Sequence, residues 1–250
     1  MKYAPLIGLV LLFACRAYEP APQSQADIDS HALWDSLLLQ YVDTAGWVNY
    51  AAWQQDTTLL NVYLQSLSDH PPTASASEQD RIAYWINAYN AFIVKLILRH
   101  YPLSSITDLH QVPYVAPVWK EAWFEIGGQA MSLDRIEHGI LRRDFAEPRI
   151  HFAINCASYS CPVLRREAYV GDRLDAQLDE QAQRFLSDTL RNRIAPDRAE
   201  ISMIFLWFRE DFMQTGSLHD FLNRYSPVPV QAHTHIQYMH YDWRLNAQTP

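Results

Sequence analysis

The most constraining feature of this chain is an apolar run that helical periodicity cannot confine to one side. From Ala83 to Leu98 the sequence carries a single charged residue, Lys95, among Ala, Ile, Leu, Val, Phe, Tyr and Trp. A helix that is apolar nearly all round has to be surrounded by other elements. Ser75-Ala76-Ser77-Glu78 ahead of it has a capping-box pattern and Pro102 follows it, so the helix is predicted from Glu78 to His100. The rest of the chain must supply the shell.

That shell reads as amphipathic. Ile28 to Tyr41 places Ala32, Leu33, Leu37, Leu38 and Tyr41 on one helical face, and a helix from about Asp56 carries Leu59, Leu60, Tyr63, Leu64 and Leu67. Ala122 to Met131, with the turn Gly127-Gly128-Gln129, reads as a hairpin, and Ser132 as the N-cap of a helix through Leu141. Arg149 to Cys156 is rich in β-formers and is predicted as a strand. Further helices are expected over Arg173–Asp188 and Glu210–Tyr225, a second hairpin over Arg193-Ile194 and Glu200–Ile204, and strand or coil over Ile236–Leu245. The prediction is an α+β fold, a mainly helical single domain with a small antiparallel sheet.

The N-terminus is of a different kind. Lys2 and then an apolar run ending in Leu12-Phe13-Ala14-Cys15 form a signal-peptide pattern too short to span a bilayer. The end of that run resembles the lipobox of bacterial lipoproteins, which implies lipidation of Cys15. Ordinary cleavage near Ala21-Pro22 is the alternative. Residues 15–26, rich in Ala, Pro, Ser and Gln, read as a tether, and residues 27–250 as the folded domain. The formal charge of −8 argues against nucleic acid as a partner.

Two cysteines remain for chemistry, in Asn155-Cys156-Ala157-Ser158-Tyr159-Ser160-Cys161-Pro162. Cys156, beside a polar loop, reads as a thiolate nucleophile, and Cys161 stands before a helix-initiating proline that could lower its pKa. Outside the cytoplasm the same pair reads equally as a disulfide. A base is available at His138, which shares a helical face with Asp134 and Arg142. His151 is the alternative base. Asn87 and Asn90 lie three apart on the apolar helix, where a carboxamide must either brace a backbone or face a polar site. His233, His235 and His240 make a weak metal pattern with no completing ligand, and neither a phosphate loop nor a Gly-x-Ser-x-Gly elbow occurs. No metal or other cofactor is expected.

Four segments together carry a family resemblance: Tyr84 to Ala91, Ile136 to Arg142, Asn155 to Pro162, and Tyr241 to Asn246. They resemble the bacterial and plant family named domain of unknown function 547, over about Ala32 to Asn246. The resemblance implies that the Asn-bearing helix, the Glu137-His138 helix and the Cys156–Pro162 loop meet at one cleft. It also implies an arrangement similar to papain-like and transglutaminase-like thiol enzymes in permuted order.

Two functions follow as expectations. One is a thiol-dependent hydrolase or acyl-transferase acting on amide bonds of an envelope substrate, a peptide or peptidoglycan stem. In it Cys156 attacks, His138 takes the proton, Glu137 or Asp134 orients the imidazole, and Asn87 or Asn90 donates to the oxyanion. The other is a non-catalytic envelope scaffold or binding protein closed by a Cys156–Cys161 disulfide. By resemblance to other lipoproteins, Arg16 after Cys15 directs the protein to the periplasmic face of an outer membrane, held by its lipid anchor. Cys15→Ser is therefore expected to move the protein from the membrane pellet to the soluble fraction or to leave it unprocessed. A soluble wild type whose mature N-terminus lies beyond Cys15 would leave export alone standing.

Overall fold

The computed structural model describes residues 31–109 and 117–248. The expected signal segment, Cys15 and the tether lie outside them. Among the described residues no helix is long and apolar enough to cross a membrane.

The apolar helix runs from Glu78 to His100 and is buried along almost its whole length, from Ile82 to Leu98. Its cap sits two residues later than the sequence pattern implied. The Ser77 hydroxyl, not that of Ser75, accepts from the Asp80 backbone N–H at 3.0 Å, satisfying one of the free donors of the first turn. Helices Ala32–Tyr41 and Thr58–Asp69 pack beside it, as their apolar faces predicted. A third helix, Tyr50–Gln55, was not legible in the sequence because it has only six residues, capped by the Asn49 side chain. The aromatic residues of this shell stack directly: Trp34 lies parallel to Tyr63 at 5.6 Å between centroids, and Tyr41 to Trp53 at 4.7 Å.

The hairpin forms as expected, Phe124–Ile126 against Gln129–Met131. Gly127 and Gly128 take φ of 59° and 70°, the two left-handed residues that a tight hairpin turn requires. Ser132 caps the next helix by accepting from Arg135 N–H at 3.1 Å. That helix is α-helical only over Leu133–Ile136 and widens into a π turn over Glu137–Leu141. A second small sheet pairs Arg193–Ile194 antiparallel with Arg198–Ile201, and His235–Tyr238 joins the latter strand in parallel.

Two expectations are corrected. The segment predicted as a strand over Arg149–Cys156 is instead a short buried helix, Ile150–Ala153, followed by extended chain. A short, fully buried apolar run carries no periodic signal that separates the two states. The helix predicted over Glu210–Tyr225 is split into Arg209–Phe212 and Leu218–Tyr225. Ser217 and Asp220 make a complete capping box that restarts the chain.

Within the central helix the two carboxamides act as backbone braces. Asn87 donates to the Tyr169 carbonyl at 2.7 Å and accepts from the Tyr169 N–H at 3.0 Å. Asn90 donates to the Ala153 carbonyl at 2.9 Å and accepts from the Asn155 N–H at 2.9 Å. Both are fully buried. Asn90→Leu would leave one backbone donor and one acceptor unpaired in the interior, a cost of about 2–4 kcal/mol. Differential scanning fluorimetry should accordingly show a midpoint lowered by roughly 5–10 °C, and an unchanged midpoint would contradict the bracing role.

Candidate active site

Asn155 extends the brace into the site. Its side chain donates to the Pro162 carbonyl at 2.6 Å and accepts from the Ala157 N–H at 2.8 Å. The Asn246 amide donates to the same oxygen at 3.2 Å, and Asn246 in turn accepts from the Tyr50 hydroxyl at 2.8 Å. This network holds Ala157 at φ 62°, a left-handed conformation uncommon for a residue with a Cβ. The chain turns sharply there, immediately after Cys156. From outside, the tail is laid along the loop: Tyr159 N–H donates to the Arg244 carbonyl at 2.6 Å and Ser160 N–H to the Asp242 carbonyl at 3.1 Å. Arg191 donates to the carbonyls of Cys161 and Tyr159 at 2.6 and 2.8 Å.

The loop so fixed presents Cys156 to a cavity of about 240 Å³. Glu137 and His138 line it from the π turn, Asp134 from the α-helical turn before it, His151 from the short helix, and Cys161 from the loop. Aromatic walls come from Tyr89, Trp119, Trp207, Phe208, Tyr241 and Trp243. Asn87 and Asn90 do not reach it. The oxyanion role that the sequence allowed them is taken from both by their backbone partners.

Cys156 and Cys161 are free thiols whose sulfurs lie 2.9 Å apart. Cys156 also shares hydrogen bonds with the Ser158 hydroxyl at 3.0 Å and the Tyr241 hydroxyl at 3.3 Å. The Cys161 thiol is the strongest influence on Cys156: by donating to the ionised sulfur it outweighs burial and, with Ser158 and Tyr241, brings Cys156 down to about 6. Burial and the neighbouring thiolate push Cys161 well above the ordinary range. The pair therefore divides into a thiolate and a retained thiol.

Glu137 is the second unusual acid. Burial, and after it the negative charge on Cys156, push its carboxyl up to about 7, against the pull of Arg142 and a hydrogen bond from Tyr89. His138 is committed elsewhere: its Nδ1 is 2.9 Å from Arg142 Nη1, and its Nε2 lies 3.9 Å from Asp134. A guanidinium can only donate, so the Nδ1 lone pair is already occupied. His151 differs. Its Nε2 is 2.7 Å from the Asp211 carboxylate, its ring stacks on Phe208 at 3.9 Å, and its buried Nδ1 has no protein partner. Burial works to raise the Asp211 carboxyl, but the hydrogen bonds from His151 and Arg142 outweigh it and hold Asp211 well below the usual range. The carboxylate thereby fixes the His151 proton on Nε2 and leaves Nδ1 as a lone pair.

The sequence thus located Cys156, Cys161, Glu137, His138 and His151, and all five line one cavity. It missed Asp211, Tyr241 and Ser158. Asp211 had no signal, since Glu210-Asp211 reads as a solvated helix face; Tyr241 lay in a quoted motif but had no assigned role. Among the described residues no group of three His, Cys, Asp or Glu side chains is placed to hold a metal ion.

Residues 73–186 match the family described as "Protein of unknown function, DUF547". This stretch belongs to that family. It contains the central helix, the π turn and the cysteine loop, while the Tyr241–Asn246 segment, whose Tyr241 and Trp243 line the cavity, lies beyond it. No curated protein and no solved structure matches the chain.

The thiolate predicts a specific titration. Alkylation of Cys156 by iodoacetamide should rise with pH as the thiolate forms, with a midpoint near about 6. Tyr241→Phe and Ser158→Ala, each removing a donor to the anion, should move the midpoint upward. A wild-type midpoint at the ordinary cysteine value, about 8.5, would show that these donors do not stabilise the anion.

Proposed function

We propose that this protein is a thiol-dependent hydrolase or acyl-transferase acting on amide bonds of an envelope substrate of the peptide or peptidoglycan-stem type. The observation that carries the reading is the pairing of a stabilised Cys156 thiolate with the raised Glu137 acid in one aromatic cavity. Between about pH 6 and 7 a thiolate and a protonated carboxyl coexist there, the pairing of nucleophile and acid that amide cleavage uses.

In the proposed reaction Cys156 Sγ attacks the carbonyl carbon and Glu137 gives its proton to the amine as the C–N bond breaks, leaving a thioester. The Glu137 carboxylate then takes a proton from water, or from an acceptor amine in a transferase, as that nucleophile displaces the thiolate. His151, with Asp211 on its Nε2, supplies a fixed hydrogen-bond acceptor. This departs from the sequence expectation, in which His138 took the proton and Glu137 or Asp134 oriented it, because the His138 lone pair is held by Arg142. The unbonded sulfurs support this reading over the disulfide-closed scaffold. Export and a lipid anchor at Cys15 would place the activity in the cell envelope.

The activity can be tested with peptidoglycan-stem peptides and with a p-nitrophenyl ester as a general acyl donor. Cys156→Ala should abolish turnover, a fall of several orders of magnitude, without changing the near-ultraviolet circular dichroism. The pH profile of kcat/KM should be a narrow bell, since activity needs Cys156 ionised, above about 6, and Glu137 protonated, below about 7. Glu137→Gln should remove the acidic group responsible for the alkaline limb. Full turnover by Cys156→Ala would overturn the assignment.

A further inference from the structure

The cysteine loop holds two thiols where the proposed chemistry uses one. Cys161 makes no contact with the cavity solvent comparable to that of Cys156: it is 4% exposed, and its sulfur accepts the Cys156 backbone N–H at 2.9 Å. Its main-chain carbonyl is pinned by Arg191. Both ends of the six-residue loop are therefore fixed, with the two sulfurs already at 2.9 Å. A disulfide, at about 2.05 Å, needs a movement of less than an ångström along that line.

We infer that Cys156 and Cys161 form a reversible redox pair in which hydroperoxides oxidise Cys156 and Cys161 resolves the product, switching the site off and protecting it from irreversible oxidation. The inference rests on Cys156 being the reactive thiol of the proposed function. In the first step the Cys156 thiolate attacks one hydroperoxide oxygen: the S–O bond forms and the O–O bond breaks. The departing alkoxide, or hydroxide from hydrogen peroxide, takes up a proton, and the sulfur is oxidised by two electrons to the sulfenic acid. In the second step Cys161 loses its proton and attacks the Cys156 sulfur. The S–S bond forms, the S–O bond breaks, and the hydroxide leaves as water with that proton. A dithiol reductant returns both thiols by exchange.

The geometry suits each partner to its part. Both cysteines line the cavity, but Cys156 is partly exposed and Cys161 is buried, so an oxidant entering the cavity has readier access to Cys156. Cys161 is kept as a thiol beside it and is protected from direct attack by burial. Serine at either position would retain a hydrogen bond and lose the cycle.

The test uses the full chain treated with about one equivalent of hydrogen peroxide, followed by alkylation, intact mass and peptide mapping. The expected result is loss of two titratable thiols, a bridge mapped to Cys156 and Cys161, and full recovery of both thiols with dithiothreitol. With several equivalents of peroxide, enough for the two successive oxygen transfers that a sulfinic acid needs, Cys161→Ser, and Cys161→Ala as a second variant checked for folding by near-ultraviolet circular dichroism, should instead accumulate Cys156 sulfinic acid that dithiothreitol does not reverse, while wild type stops at the bridge. The inference is overturned if wild type over-oxidises as fast as the variants, or if its bridge involves Cys15 or a second molecule. These readouts are independent of turnover. Loss of peptide or ester hydrolysis without loss of the bridge would count against the hydrolase reading alone, and the converse against the redox pair alone.

Discussion

The exchange of hydrogen bonds between Asn90 and the backbone of Ala153 and Asn155 is the interaction on which the site depends. A carboxamide in the middle of an apolar helix is unfavourable unless both its donor and its acceptor are matched, and here each is met by main chain immediately before Cys156. The central helix therefore serves as a rigid post. It fixes the residue from which the cysteine loop starts, and Asn155 passes that constraint to Ala157, Pro162 and Asn246. Buried networks of this kind specify one arrangement because any slip leaves several polar groups unpaired at once.

Electrostatics in the cavity follow from that placement. With the loop held rigidly, the Cys161 thiol and the hydroxyls of Ser158 and Tyr241 converge on one sulfur. They stabilise an anion that burial alone would forbid. The anion adds to burial in raising Glu137, so the two acids separate into a thiol that ionises early and a carboxyl that keeps its proton late. Behind His151, Asp211 receives hydrogen bonds from both Arg142 and His151. That arrangement neutralises a half-buried carboxylate and leaves one imidazole nitrogen unpaired.

The aromatic residues play two roles that the sequence does not distinguish. Trp34, Trp53 and Tyr63 stack in the interior as filling. Trp207, with 44% of its surface exposed, instead stacks on Trp243 and meets Tyr241 at a tilt beside the cavity. Composition alone shows only that such residues are numerous; whether a given ring faces core or solvent depends on which elements meet beside it.

The sequence by itself determined the central helix, its flanking helices, the hairpin and the loop bearing two cysteines, because each has a local signal: an unbroken apolar run, a periodic face, a pair of glycines, a cap. It also brought Glu137, His138, His151, Cys156 and Cys161 forward as reactive types. Only the tertiary structure decided their roles. Asn87 and Asn90 became braces because main-chain partners lie against that helix face. The partners of Cys156 and His151 come from Tyr241 and Asp211, which are 85 and 60 residues distant in the chain. No local pattern encodes such a pairing. It exists only once folding has brought the tail and the Arg209–Phe212 helix against the cysteine loop and the short helix, which is what places hydroxyl donors on the Cys156 sulfur and a carboxylate on His151.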